Sequence, residues 1–115
     1  MKSLNRTALT IVALDPMKEW VNFKLALDDP YTLEEINSDS SIYLIDELDN
    51  PEDDIAKYIT KNFLTLFTQE LEDWTDDQSL WPTELTLNRF NTWFEIQPHS
   101  LIVDLGSKSL ELEEY

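Results

Sequence analysis

The chain has 115 residues, with 24 Asp and Glu against 8 Lys and Arg, giving a formal charge of −16 at neutral pH. At 42% hydrophobic and 11% aromatic residues it has the apolar content of a folded chain, not the depleted composition of a disordered one, and its length predicts a single globular domain over 1–115. Having no Cys excludes disulfides, a thiolate nucleophile and Cys-ligated zinc or iron–sulfur centres.

Residues 7–14 predict a strand. Thr7, Leu9, Ile11 and Ala13 alternate with Ala8, Thr10, Val12 and Leu14. Both sets are mostly apolar, which suits a strand covered on both faces. Asp15 is suited to an N-cap and Pro16 to the first helical position. Met17, Trp20, Val21 and Leu25 then recur at helical spacing. Asp28-Asp29-Pro30 closes that helix, and Thr32-Leu33-Glu34-Glu35 has the spacing of a capping box on one helical turn. After a polar loop, residues 41–48 predict a second strand, with Ile42, Leu44 and Leu48 on one side and Tyr43 and Ile45 on the other.

The strongest signal follows. Asn50 caps, Pro51 takes the first position, and Glu52, Asp53 and Asp54 lie at the positive end of the helix dipole. Ile55, Ile59, Phe63, Leu66, Phe67, Leu71 and Trp74 then form one apolar stripe, opposite Lys57, Lys61, Thr65, Thr68 and Glu72. This predicts a helix over 51–74. Residues 75–83 read as an acidic loop, and Thr86 caps a shorter helix bearing Leu87, Phe90, Trp93 and Phe94. Residues 100–105 predict the next strand, with 95–97 either pairing with it around Pro98-His99 or leading into it. Gly106-Ser107-Lys108 suits a turn, with Leu110 and Leu112 on a short terminal edge strand.

The order β-α-β-α-α-β(β) predicts an α+β or α/β two-layer sandwich, with two or three helices covering one face of a sheet of three to four strands. If the first two strands are neighbours, the helical crossover makes them parallel.

His99 is the only imidazole and the one weak catalytic candidate. Neighbouring positions on a strand point to opposite faces, so His99 does not serve Ser100, and no Gly-x-Ser-x-Gly turn exposes a nucleophile. Carboxylates cluster at Asp46, Glu47, Asp49, Glu52, Asp53 and Asp54, and again at Glu70, Glu72, Asp73, Asp76 and Asp77. Neither set follows the calcium-loop pattern, and helix capping explains the first, so no metal and no cofactor is expected. Trp20, Trp74 and Trp93 fall on apolar helix faces and read as core. Trp81 either plugs the end of the core or stands exposed as a binding anchor, rimmed by Asp73, Asp76 and Asp77.

Asn5-Arg6-Thr7-Ala8, the spacing from Trp74 to Trp81-Pro82, Phe90-x-x-Trp93-Phe94, His99-Ser100 with Val103-Asp104-Leu105, and the closing Glu113-Glu114-Tyr115 together resemble a group of small acidic uncharacterised bacterial proteins. These motifs are aromatic and structural. The resemblance implies a bacterial cytoplasmic single domain and transfers no functional residue.

Eight scattered cations argue against direct contact with nucleic acid or an anionic membrane, because both are held through Lys and Arg. No stretch approaches the roughly 18 apolar residues of a spanning helix, and the N-terminal run has no small-residue cleavage site, so the expectation is a cytoplasmic protein. The charge points to an acidic protein-binding or regulatory module for a basic protein, with mimicry of nucleic acid as a special case. The alternatives are an enzyme using carboxylates and His99, and a structural subunit of a larger assembly.

Overall fold

A computed structural model describes residues 1–114; Tyr115, which closes the resemblance drawn above, lies outside the described residues. The chain is of mixed α+β class. It runs β1 (Lys2–Ser3), β2 (Arg6–Ala13), α1 (Asp15–Lys24), α2 (Leu33–Ile36), β3 (Ile42–Asp46), α3 (Pro51–Glu72), α4 (Leu87–Trp93), β4 (Phe94–His99) and β5 (Val103–Asp104), with 3-10 turns at Asn37–Asp39 and Gln78–Leu80. The main sheet has the order β3-β2-β4, all antiparallel, and β1 pairs with β5 in a separate two-stranded ribbon.

The strands expected at 7–14 and 41–48 are neighbours, and they pair antiparallel rather than parallel. The register runs from Arg6 opposite Asp46 to Thr10 opposite Ile42. The reason lies in the connection, which leaves β2 along α1 and then doubles back. Ala26, at φ 48°, turns the chain after α1 in the left-handed region that favours glycine. Asn22 then clamps Tyr31 through both backbone polar groups, at 2.8 and 2.9 Å. The Thr32 capping box forms on both of its arms, as its spacing predicts. The chain thus returns to the end of the sheet it left. Asn37 fastens it there, accepting from the Ala13 N–H at 2.8 Å and donating to the Ala13 carbonyl at 2.9 Å.

The third strand of the main sheet is 94–99 and not 100–105. It pairs along β2 from Ala13–Phe94 to Ala8–His99, while of 100–105 only Val103–Asp104 is strand, paired with Lys2–Ser3. Leu110 and Leu112 lie in no strand and are exposed.

Helix starts follow the sequence with two adjustments. Leu14, not Asp15, is the N-cap of α1, and Asp15 instead pairs with Lys18 at 3.4 Å. Asn50 caps α3 by position, but its side chain donates to Asp53 (2.6 Å), while Asp54 reaches back to the Asn50 N–H. Thr86 caps α4 through the Arg89 N–H. The last residue of α3 is Glu72, so Trp74 lies just beyond the helix, edge-on to Tyr31 with centroids 5.4 Å apart.

The core joins one sheet face to the helices. Leu9, Ile11, Ala13, Ile45 and Phe94 from the sheet meet Met17, Trp20 and Val21 of α1, Ile59, Leu66, Phe67 and Leu71 of α3, and Phe90 of α4. The opposite sheet face adds nothing to this core; on β2 its Ala8 is buried and Thr10 and Val12 are half-buried, and apart from Arg6 the exposed residues are on the edge strands. By register it carries Asp46, Leu44 and Ile42 on β3, Arg6, Ala8, Thr10 and Val12 on β2, and His99, Gln97 and Glu95 on β4. Ile42 is 65% and Leu44 52% exposed. Ala8 is nonetheless buried, because a small residue on a central strand is shielded by its cross-strand neighbours, here Leu44 and His99.

Candidate functional site

Two concavities and one open face carry the chemistry of this molecule. The larger concavity, about 930 Å³, lies in the helical layer between α1, α4 and the segment 81–83. Its aromatic wall is Trp20, Trp81, Trp93 and Phe23, with Lys18, Lys24 and Arg89 among the charged side chains around it. The indoles are held by the backbone: Trp20 Nε1 donates to the Leu80 carbonyl at 2.8 Å, and Trp81 Nε1 to the Thr75 carbonyl at 3.1 Å. Trp93 packs on Trp20 (6.3 Å between centroids) and on Phe67 (5.5 Å). Trp20 is buried, whereas Trp74, Trp81 and Trp93 are half-buried against the core. Trp81 therefore both closes the end of the core and shows part of its ring to the groove.

The smaller concavity, about 190 Å³, lies between β2, α3 and the 3-10 turn at Asn37–Asp39, and is lined in part by Ile11, Ser41, Glu70 and Asp73. Tyr43 Oη donates to Glu70 at 2.7 Å, Ser41 Oγ donates to Asp73 at 3.4 Å, and Gln69 donates to Asp73 at 3.2 Å. Burial raises the Glu70 carboxyl above the ordinary range; the Tyr43 hydrogen bond opposes this and the Asp73 charge adds to it. Burial, followed by the hydrogen bond to Glu70 and its charge, pushes the Tyr43 phenol well up. A carboxyl with a raised folded pKa binds protons more tightly folded than unfolded, so its stabilisation is lost as pH rises through the folded pKa. Wild type should therefore lose stability relative to Glu70→Gln between about pH 4.3, where a free glutamate titrates, and neutrality. Urea midpoints of both proteins across that range test this, and a constant difference would refute it.

Trp81 lines the aromatic groove, and none of Asp73, Asp76 and Asp77 does. Asp73 caps α3 beside the Tyr43–Glu70 pair. Asp77 caps the turn Gln78–Leu80 by accepting from Ser79, and Asp76 is exposed. His99 stands on the open sheet face with its Nε2 3.2 Å from Thr10 Oγ1. Among the described residues, no three His, Asp or Glu side chains are grouped to hold a metal ion, and no helix is long and apolar enough to cross a membrane.

Sequence reasoning missed Tyr43 and Glu70 as a pair, and the convergence of Lys18, Lys24 and Arg89. The first had a signal, a tyrosine on the inward side of a strand facing an amphipathic helix. The second had none, because the groove joins α1 to α4 only through the fold. Compared with known proteins, the chain matches no family model, no curated protein and no solved structure.

Proposed function

We propose that this protein is a binding module for a basic protein partner, and that the open face of the main sheet is where the partner docks. The observation that carries this reading is the exposure of Ile42 and Leu44, neighbours on one face of β3. Contiguous exposed apolar surface on a small protein is characteristic of an interface. Asp46 and Glu95 share the face, and Glu47 and Asp49 follow at the end of β3. An apolar strip with acids beside it suits a partner that presents aliphatic side chains among lysines and arginines. The eight cations cannot neutralise 24 acids, so the negative field reaches the solvent and steers such a partner in. This reading includes a cytoplasmic setting and no direct contact with nucleic acid, since Arg6 is the one cation that the register places on the face.

Capture from native lysate at about 0.05 and 0.5 M salt, an interval over which the Debye length falls severalfold, tests the reading with wild type and Leu44→Asp. The expected result is a basic protein retained at low salt, released at high salt, and held at least about tenfold more weakly by Leu44→Asp, as for a central interface residue. Capture insensitive to salt would remove the electrostatic part, and capture unaffected by Leu44→Asp would remove the sheet face. A second reading, a structural subunit, draws on the same exposed Ile42 and Leu44; it predicts a partner still bound at high salt.

A further inference from the structure

We propose that the groove between α1 and α4 binds a small aromatic anion: a planar ring bearing a carboxylate, sulfonate or phosphate. The groove is separate from the open sheet face, since it is built from α1, α4 and the segment 81–83. At about 930 Å³ it lies within the range of small-molecule sites, and like them it combines an apolar wall with a few polar groups.

Two independent observations fix the chemistry. The first is the wall. Trp81 and Trp93 are only half-buried and Phe23 is 81% exposed, so ring surface is available to stack on. The indole N–H groups of Trp20 and Trp81 are already used by backbone carbonyls. This anchors the rings and leaves their remaining surface apolar, which suits a planar partner. An exposed phenylalanine at the mouth of such a groove has no structural task among the described residues, since Phe23 is outside the core and the ring contacts described above.

The second observation is charge. Three of the chain's eight cations, Lys18, Lys24 and Arg89, line this one groove, with Glu19 as its only acid. Asp15 neutralises Lys18 at 3.4 Å. Lys24 forms no ion pair among the described residues, and Arg89 is held in place by donating to the Glu84 carbonyl at 2.6 Å. On a molecule of net charge −16, this is a local reversal of sign. An anion repelled elsewhere on the surface finds here a cation within reach of an aromatic floor. A neutral ring would use only the floor, and an aliphatic anion only the charge.

Anilinonaphthalene sulfonate is a direct probe, with the uncharged phenylnaphthylamine of the same ring system as its control. The expected result is one equivalent of the sulfonate probe bound per chain, more tightly than the uncharged one. Lys24→Glu should weaken the sulfonate about fivefold, the scale of reversing one exposed charge, and leave the uncharged probe unchanged. Phe23→Ala should weaken both. Both positions are exposed, so the fold is retained, as circular dichroism will show. No binding of the sulfonate, equal loss of both probes in Lys24→Glu, or a loss in Leu44→Asp as large as in Phe23→Ala would each overturn the proposal; the last would move the probe to the open sheet face.

Discussion

Phe67→Ala should remove about 3–5 kcal/mol of stability, the usual range for deleting a buried phenyl ring. Phe67 is fully buried at the point where three elements meet. Its ring lies 5.7 Å from Phe90 and 5.5 Å from Trp93 of α4, and 5.6 Å and nearly perpendicular to Phe94 of β4. Each such contact adds to the area term, and a rigid aromatic cluster collapses poorly into the void left behind. A domain of this size has roughly 5–15 kcal/mol in total, so the variant approaches the limit of folding. Its urea midpoint should fall steeply with an unchanged slope. Leu64→Ala on the same helix is the control: Leu64 is half-exposed, and the change should stay under about 1 kcal/mol. Equal effects at the two positions would mean that α3 is not docked as described.

The same cluster shows which parts of the fold the sequence made legible. Ile59, Leu66, Phe67 and Leu71 announce their burial through spacing alone, and α3 forms where the stripe predicts. Thr32 and Thr86 cap helices at the expected places, because capping is settled within four residues. What failed was non-local. Pro98-His99 reads as a turn between 95–97 and 100–105, yet both lie in β4, an edge strand whose unpaired side tolerates a residue without an N–H. Antiparallel pairing of β2 with β3 depends on a reversal at Ala26, Asn22 and Asn37 that leaves no periodic trace. The candidate sites were less legible still. Trp81 meets α1 and α4 in the groove, and those partners are remote from it in sequence. The hydrogen bond of Tyr43 to Glu70, at the edge of the polar cleft, joins residues 27 apart in sequence.

The two surfaces put opposite demands on a single charge distribution. On the proposed reading, the open face would gain from uniform negative charge, because a basic partner would be attracted from any approach. The groove needs a local exception, and placing Lys18 and Lys24 on α1 and Arg89 on α4 supplies it on the helical layer. Screening should therefore separate the two. Added salt weakens steering to the open face, whereas ring stacking in the groove persists and only its ionic part fades.

Asn37→Ala should cost about 2–4 kcal/mol, combining two lost hydrogen bonds with the penalty for leaving a half-buried N–H and carbonyl unpaired. On the β3 side of β2, strand pairing ends at Thr10–Ile42, followed by one bond from the Ile11 N–H to the Ser41 carbonyl at 3.3 Å. Beyond that point the Asn37 amide continues the ladder, matching both the donor and the acceptor of Ala13. The asparagine amide offers a donor and an acceptor side by side in one plane. The contact also holds the returning chain at the end of the sheet it left, so it bears on topology as well as on local pairing. Asn37→Asp is the sharper test. The carboxylate keeps the acceptor but sets a charge against the Ala13 carbonyl, so at neutral pH it should destabilise at least as much as alanine. Protonation restores a donor, so part of that loss should return as pH falls through the carboxyl's titration. Urea midpoints at neutral and acid pH, with hydrogen exchange of the Ala13 amide, read both effects. An Ala13 amide equally protected in wild type and Asn37→Ala would show that the asparagine does not carry the ladder.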